Sequence, residues 1–451
     1  MKKKIVFYFP WKEISGGPVY LSNLAIQLSK LSDYEVWYID YLGGLTDKSF
    51  AGTSVKQISY QEPFYFPLSD EIITMIVPIY CAAHIPKLHP KSKILFVNWH
   101  NYCIQALVDS WRLKEDQLQE FLTMVHDNNA TVFIDYTHWR AQNEYVRPNN
   151  MYRFAQQYVP VTAGQKNIIC SNNIIRKEEI NIGILGRLCR DKIYTVLNLI
   201  EQFDKIDIGR KKNLYIIGDG TEREKLLSVT TSSVNIHIMG TITGECLSDF
   251  LCKHVDILFG MGLSILEGAA MGIPSVVAPH NIQPFHLDAY TFLHKCKGYA
   301  LGWYDTQISE LNIEVLTLRQ ILSMVYEEGK KEELGKRDLQ YMIDHHTQNH
   351  DLLCKYIDTT SLTYERFSKF SKDKGYIRIL SIPVAKIHSS FDERDKRVDF
   401  LGISNFLCAK IDGEIKKFYL LGREENIIKA KKIGKDYRLY IAGMQVPMIK
   451  L

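Results

Sequence analysis

Two successive series of short, nearly all-apolar runs, separated by helix-length amphipathic stretches, predict an α/β chain of two doubly wound Rossmann-like domains. A change of pattern after residue 360 predicts a small β-rich appendage behind them. The length, 451 residues, accommodates two to three domains that each bury a core.

In the first series the expected strands are "IVFYF" (5–9), "YEVWYID" (34–40), "EIITMIV" (71–77), "KILFVNW" (93–99) and "ATVFIDY" (130–136). The second series runs "INIGILG" (180–186), "NLYIIG" (213–218), "VNIHIMG" (234–240), "VDILFGM" (255–261) and "PSVVAP" (274–279). Strands this uniformly apolar fit parallel sheets covered on both faces. The polar, aperiodic stretch 163–179 is the expected hinge. The domain reading is 1–173, 174–345, a crossover helix over 346–360, and the appendage 361–451. In the appendage, "GYIRILSIPVAKI" (375–387) and "DYRLYIAG" (436–443) read as extended. Asp412-Gly413, between two β-like arms, reads as a tight hairpin.

Composition sets limits. The hydrophobic fraction of 46% and charged fraction of 24% are those of a globular protein. No apolar run approaches the roughly 20 residues of a membrane span. The start "MKKKIVFYFPW" reads as a first strand ended by Pro10, not as a secretory signal. Nine cysteines without Cys-x-x-Cys or paired Cys/His spacing read as free thiols in a reducing cytoplasm. The net charge of +4 is too small to argue for nucleic acid, but its distribution is uneven. Residues 361–451 hold 19 Lys/Arg against 11 Asp/Glu, which leaves the preceding chain acidic.

Three turns carry the chemistry. In "GILGRLCRDKIYTVLNLI" (183–200) a strand ends at Gly186 and a helix follows, with Arg187 and Lys192 at the junction. Free amides and the positive dipole end of a helix attract anions, and these cations add to that field. Arg187 can fork onto two phosphate oxygens while Lys192 supplies a point charge. The plain alternative is a surface Arg and Lys on an ordinary turn. Gly218-Asp219-Gly220 stands at the carboxyl end of the next strand, where a simple turn is the competing reading. Finally "FGMGLSILEGAAMGIP" (259–274) places Gly260, Met261, Gly262 and Leu263 after a strand, with Ser264 suited to a helix cap. Glu267 is then expected in the first turn, as a ligand group or merely a dipole partner.

Together these turns resemble the nucleotide-sugar domain of glycosyltransferase family 4, which has the GT-B fold. The resembling residues are Gly186-Arg187 with Lys192, Gly218-Asp219-Gly220, and Glu267 followed by Gly272-Ile273-Pro274. The resemblance spans roughly residues 1–358 and is strongest over 180–279. It implies that Arg187 and Lys192 hold a donor diphosphate and that Glu267 binds ribose hydroxyls. One departure stands out: the first glutamate of the family's Glu-x7-Glu is Phe259 here, so either the backbone of Gly260 to Leu263 recognises the donor sugar or the site is impaired. The Gly-Gly that often follows the Gly-x-Pro strand is replaced by "PHNIQPFHLDAY".

In the first domain, Gly16-Gly17 before Pro18 resembles the loop where the family's acceptor and diphosphate meet. His100, just past a strand end, takes the place of a cleft histidine of the family, and His138 in "DYTHWRAQ" is a weaker candidate. A lone histidine is more often structural. The "HHTQNH" run (345–350) fits no metal site and reads as a solvated helix end. No Asp-x-Asp occurs, which favours Arg187 and Lys192 over a metal for neutralising the diphosphate.

The resemblance therefore implies a hexosyltransferase-type enzyme that moves a sugar from a nucleoside diphosphate to a glycan or lipid-linked acceptor. Bacterial surface polysaccharide, metal independence, retention of configuration and no cofactor are the accompanying expectations. The expected location is cytoplasmic and peripheral on an anionic membrane surface. A sugar-nucleotide epimerase of similar frame and a non-catalytic partner subunit are the alternatives.

Overall fold

The computed structural model describes residues 2–371 apart from 13–15, 45, 62–63, 148–152, 164–169, 171–177 and 311–312, plus the backbone of eight strands between Tyr376 and Gln445. The chain divides into two compact units. One comprises Met1–Thr131, Gln142–Ala155 and Tyr356–Leu451; the other comprises Val132–Ala141 and Gln156–Lys355.

The first sheet contains β1 (Lys3–Tyr8), β2 (Tyr34–Tyr41), β3 (Lys56–Tyr60), β4 (Thr74–Pro78), β5 (Lys93–Asn98) and β6 (Thr131–Phe133), in the order β3-β2-β1-β4-β5-β6. The pairings β1–β2, β1–β4, β2–β3 and β4–β5 are all parallel. Sequence reading anticipates every strand but β3, whose "KQISY" buries only Ile58 and Tyr60. An edge strand with so little apolar surface leaves no continuous run to detect.

The second sheet contains β7 (Glu179–Leu185), β8 (Lys211–Ile217), β9 (Val234–Gly240), β10 (Ile257–Gly260), β11 (Ser275–Val277) and β12 (Thr291–Phe292). Its order is β12-β11-β10-β7-β8-β9, parallel except for the short antiparallel β12. The chain leaves β7 towards β9 and then returns on the other side through β10. That reversal makes a switch point between β7 and β10, with a crevice outside their carboxyl ends. The core beneath it packs Ile182, Ile184, Ile216, Ile257, Phe259 and Val276 against the helix Ile193–Lys205.

Several expectations need correction. Cys170 and Cys252, 82 residues apart, form a disulfide with a Cα separation of 5.3 Å. Six other cysteines are free among the described residues, so the all-thiol reading fails for that pair. Only the fold, which ties the Cys170 amide to the Met271 carbonyl (3.0 Å), brings them together. The "HHTQNH" run is not a solvated end: His346 is fully buried, and Thr347 and Asn349 nearly so. Its His346 Nδ1 and Asn349 Nδ2 donate to the Val161 and Pro160 carbonyls at 2.8 and 3.0 Å. Nor does the appendage begin at residue 361 as a separate body. The helix Tyr364–Ser371 buries Phe367 and Phe370 against Trp111 and Phe121, within the first unit.

Beyond it lies an eight-stranded sheet in simple sequence order: β13 (Tyr376–Ile379), β14 (Ile382–Ser389), β15 (Asp395–Phe400), β16 (Ile403–Asp412), β17 (Ile415–Leu420), β18 (Ile428–Ile433), β19 (Asp436–Ile441) and β20 (Met444–Gln445). The expected hairpin is present, with Asp412 pairing Ile415; Gly413 lies outside the described residues. Among the described residues no helix is long and apolar enough to cross a membrane.

Candidate functional site

At the switch point of the second sheet a cavity is lined by Leu185, Gly186, Arg187, Leu188 and Lys192 on one side and Gly260 and Met261 on the other. Thr195 and Val196 of the first helical turns and Ile216 of β8 close its floor. Two predicted turns thus meet here, because β7 and β10 are neighbours in register, with Leu185 opposite Gly260.

The third turn supports the first from behind. Leu188 donates its amide to the Asp219 carbonyl (3.0 Å) and accepts from the Glu222 amide (2.9 Å), while Gly186 donates to the Ile217 carbonyl (3.0 Å). A Cβ on Gly218 would overlap the Gly186 carbonyl oxygen, and one on Gly220 would overlap that of Leu188. These glycines therefore let one backbone turn lie on another, which fixes where Arg187 stands. Asp219 spends its carboxylate internally, accepting from Arg223 Nη1 and the Gly220 amide at 2.9 and 2.8 Å. The helix expected to open after Gly220 is only Glu224–Leu227.

The electrostatics of the cavity favour an anion. Among the described residues neither the Arg187 guanidinium nor the Lys192 ammonium makes an ion pair or side-chain hydrogen bond. Burial pushes the Lys192 pKa down; Asp191 and Cys189 partly offset this, and the Arg187 charge adds to it. Cys189 is pushed up to about 11 by burial and by Asp191, whose Oδ1 accepts from its thiol at 2.9 Å. A half-buried ammonium beside a like charge is relieved by a diphosphate. Lys192 also caps the helix Ile193–Lys205, and the Ile193 and Thr195 amides there already donate to the Cys189 and Lys192 carbonyls at 2.9 and 3.1 Å.

The stretch 259–274 differs from expectation in detail. The helix is Leu263–Ala269, its cap is Gly262 rather than Ser264, and Glu267 falls in its second turn. Gly262 takes φ 62°, a left-handed value that makes the turn abrupt, while its amide reaches the Leu301 carbonyl at 2.7 Å. Glu267 and Leu263 are half-buried and do not line the cavity. Phe259 is fully buried in β10, with its ring edge-on to Tyr290 at 5.4 Å. The position where the resembled motif has its first glutamate thus holds a core side chain, not another cleft group.

Sequence reasoning missed His280, which follows β11 in the segment that stands where the family has Gly-Gly. Its Nδ1 is buried without a partner among the described residues. Burial above all, then the positive neighbours Lys192 and His138, hold its pKa down at about 4. An isolated histidine carries no sequence signal, so only the fold could expose it.

Gly16, Gly17 and His100 belong to the other unit. The helix Gly16–Ser29 starts at the expected glycines, and Gly17 lies against the Trp99 indole, where a Cβ would come within 3.0 Å. His100 is exposed just after β5, and its carbonyl accepts from Gln142 Nε2 at 2.9 Å.

No protein-family profile matches the chain, and no curated protein matches it significantly. Among solved structures it is similar to the apo lipopolysaccharide outer core galactosyltransferase WaaB, at 13% identity and a TM-score of 0.50 over 79% of this chain and 99% of that one. A glycosyltransferase from Rickettsia africae is similar at 14% identity and a TM-score of 0.48, over 82% and 99%. HepE from Anabaena, solved with UDP and glucose, is similar at 10% identity and 0.48, over 79% and 99%. At these identities the likeness is one of fold, and the chain carries the two-sheet α/β architecture of the GT-B type.

Proposed function

We propose that the chain is a glycosyltransferase of the family 4 kind that moves a sugar from a nucleoside diphosphate onto a glycan or lipid-linked acceptor. The observation that carries this is the pair Arg187 and Lys192, in no salt bridge among the described residues, lining one cavity at a sheet switch point. In the proposed mechanism they stabilise the departing diphosphate beside the positive end of the helix Ile193–Lys205, and no metal is required. Glu267 binds the ribose, the backbone of Gly260 to Leu263 contacts the donor, and Gly16, Gly17 and His100 serve the acceptor side. Retention of configuration belongs to this reading, as does a role in bacterial surface polysaccharide, supported by fold likeness to a lipopolysaccharide galactosyltransferase.

A panel of sugar nucleotides tests it. Release of free nucleoside diphosphate with an acceptor, lost in Arg187→Ala and surviving EDTA, is the expected result. An epimerised donor, or EDTA inactivation reversed by Mn²⁺ or Mg²⁺, contradicts it. Phe259 favours a second reading, a non-catalytic partner subunit: donor binding without turnover is its signature.

A further inference from the structure

Next to the phosphate cavity the second unit gathers polar groups that a diphosphate leaves unused. Asp135 is almost fully buried, and its Oδ1 accepts from Thr137 Oγ1 (2.7 Å), the His138 amide (2.9 Å) and His138 Nδ1 (2.7 Å). Since the carboxylate accepts, Nδ1 carries a proton, and Nε2 is the ring nitrogen left for another partner. Nε2 makes no hydrogen bond among the described residues, and the side chain keeps 20% of its exposure. The segment 298–304 fixes this pair in place: Tyr136 donates its amide to the Gly298 carbonyl at 2.9 Å, and Thr137 Oγ1 reaches the Gly302 carbonyl at 3.4 Å.

Gly302 joins the pair to the cavity. A Cβ there would stand 3.3 Å from that of Met261, a cavity residue, and 3.8 Å from His280 Nδ1. The His280 amide in turn donates to the Trp303 carbonyl at 3.0 Å. Gly302 therefore packs closely between Met261 and His280, whose buried ring Nδ1 has no partner among the described residues. His280 is also an electrostatic neighbour of both His138 and Lys192.

We propose that His138, oriented by Asp135, and His280 form a subsite for the hydroxyls of the donor sugar, beside the diphosphate held by Arg187 and Lys192. Imidazole nitrogens exchange hydrogen bonds with hydroxyls, whereas the phosphates take the two cations, so the groups divide the ligand by chemistry. This subsite fills the role vacated at Phe259. It rests on the glycosyltransferase reading, with Asp135 as a positioning residue.

The test measures binding to the full chain of UDP-glucose, GDP-mannose and ADP-glucose, each against its bare nucleoside diphosphate. For the nucleotide that binds, His138→Gln and Asp135→Asn are expected to weaken the sugar form about tenfold, the scale of a lost hydrogen bond, and to leave the bare diphosphate unchanged. In the unmodified protein, histidine ring resonances of His138 and His280 should shift with the sugar form and not with the diphosphate alone. This keeps the test valid if Asp135→Asn fails to fold. Equal losses for both ligands, no loss in either, or unshifted resonances overturn the subsite. Diphosphate binding that survives Arg187→Ala overturns the glycosyltransferase reading instead.

Discussion

Arg187 is the residue on which the functional reading turns. Its removal should lower turnover about 10²–10³-fold, the usual loss for one electrostatic donor, with native circular dichroism. Gly218 is the complementary case. At φ 138°, with the Gly186 carbonyl in the way of any side chain, Gly218→Ala is expected to cost more than about 1 kcal/mol and to lower the melting temperature by several degrees. His346 makes stability depend on pH. Burial holds its pKa at about 4 in the folded chain, against 6.5 for the free side chain, so the unfolded chain binds the extra proton between those values. The stabilisation is complete above about pH 6.5 and lost as pH falls towards 4, on the order of 3 kcal/mol. Melting curves should show that slope, flattened in His346→Gln; equal slopes would remove His346 as the cause. Arg187 and Lys192 were legible in the sequence because strand-end cations before a helix have a local pattern. His346 and His280 were not, because burial is decided by elements far away in the chain.

At the scale of elements, every parallel strand but the edge strand β3 could be read because each gathers apolar residues in one short run. The short antiparallel β12 and the half-exposed β3 could not, since neither has enough side chains of one kind to make a pattern. The stretch 259–274 was legible as a turn and a helix, but its phase was not. Ser264 is a standard capping residue, yet the cap falls on Gly262, because the chain must reverse directly from β10 into the helix. This phase fixes Phe259 inside the sheet and carries a prediction. Phe259→Glu should not install the missing family carboxylate in the cleft. It should bury an unpaired charge and remove a fully buried aromatic, each costing several kcal/mol. The expected outcome is little soluble folded protein and no gain of activity. A folded, more active variant would show that residue 259 can face the donor.

For the molecule as a whole, the unexplained part is the C-terminal sheet, whose strand register sets several basic residues opposite one another. Lys410, Lys417 and Lys429 pair in one row across β16, β17 and β18, and Lys431 pairs Arg438 on the same face two residues further along. The alternate row, Ala409, Phe418, Ile428 and Ile441, is apolar. Like charges directly opposite one another weaken a sheet, so rows of them are costly unless an anionic surface offsets the repulsion. Near an anionic bilayer each Lys or Arg contributes about 1 kcal/mol, and a lipid-linked acceptor would require such proximity. The full chain should therefore sediment with phosphatidylserine vesicles at low salt and release at high salt, since screening shortens the reach of these charges. Removing residues from 361 onward is a poor control, because Phe367 and Phe370 belong to the core of the first unit. Charge reversal in the intact chain, Lys417→Glu with Lys429→Glu, is the better one. It should abolish vesicle binding while leaving nucleotide binding unchanged, and undiminished vesicle binding by this variant would exclude the lysine rows as the membrane-facing surface.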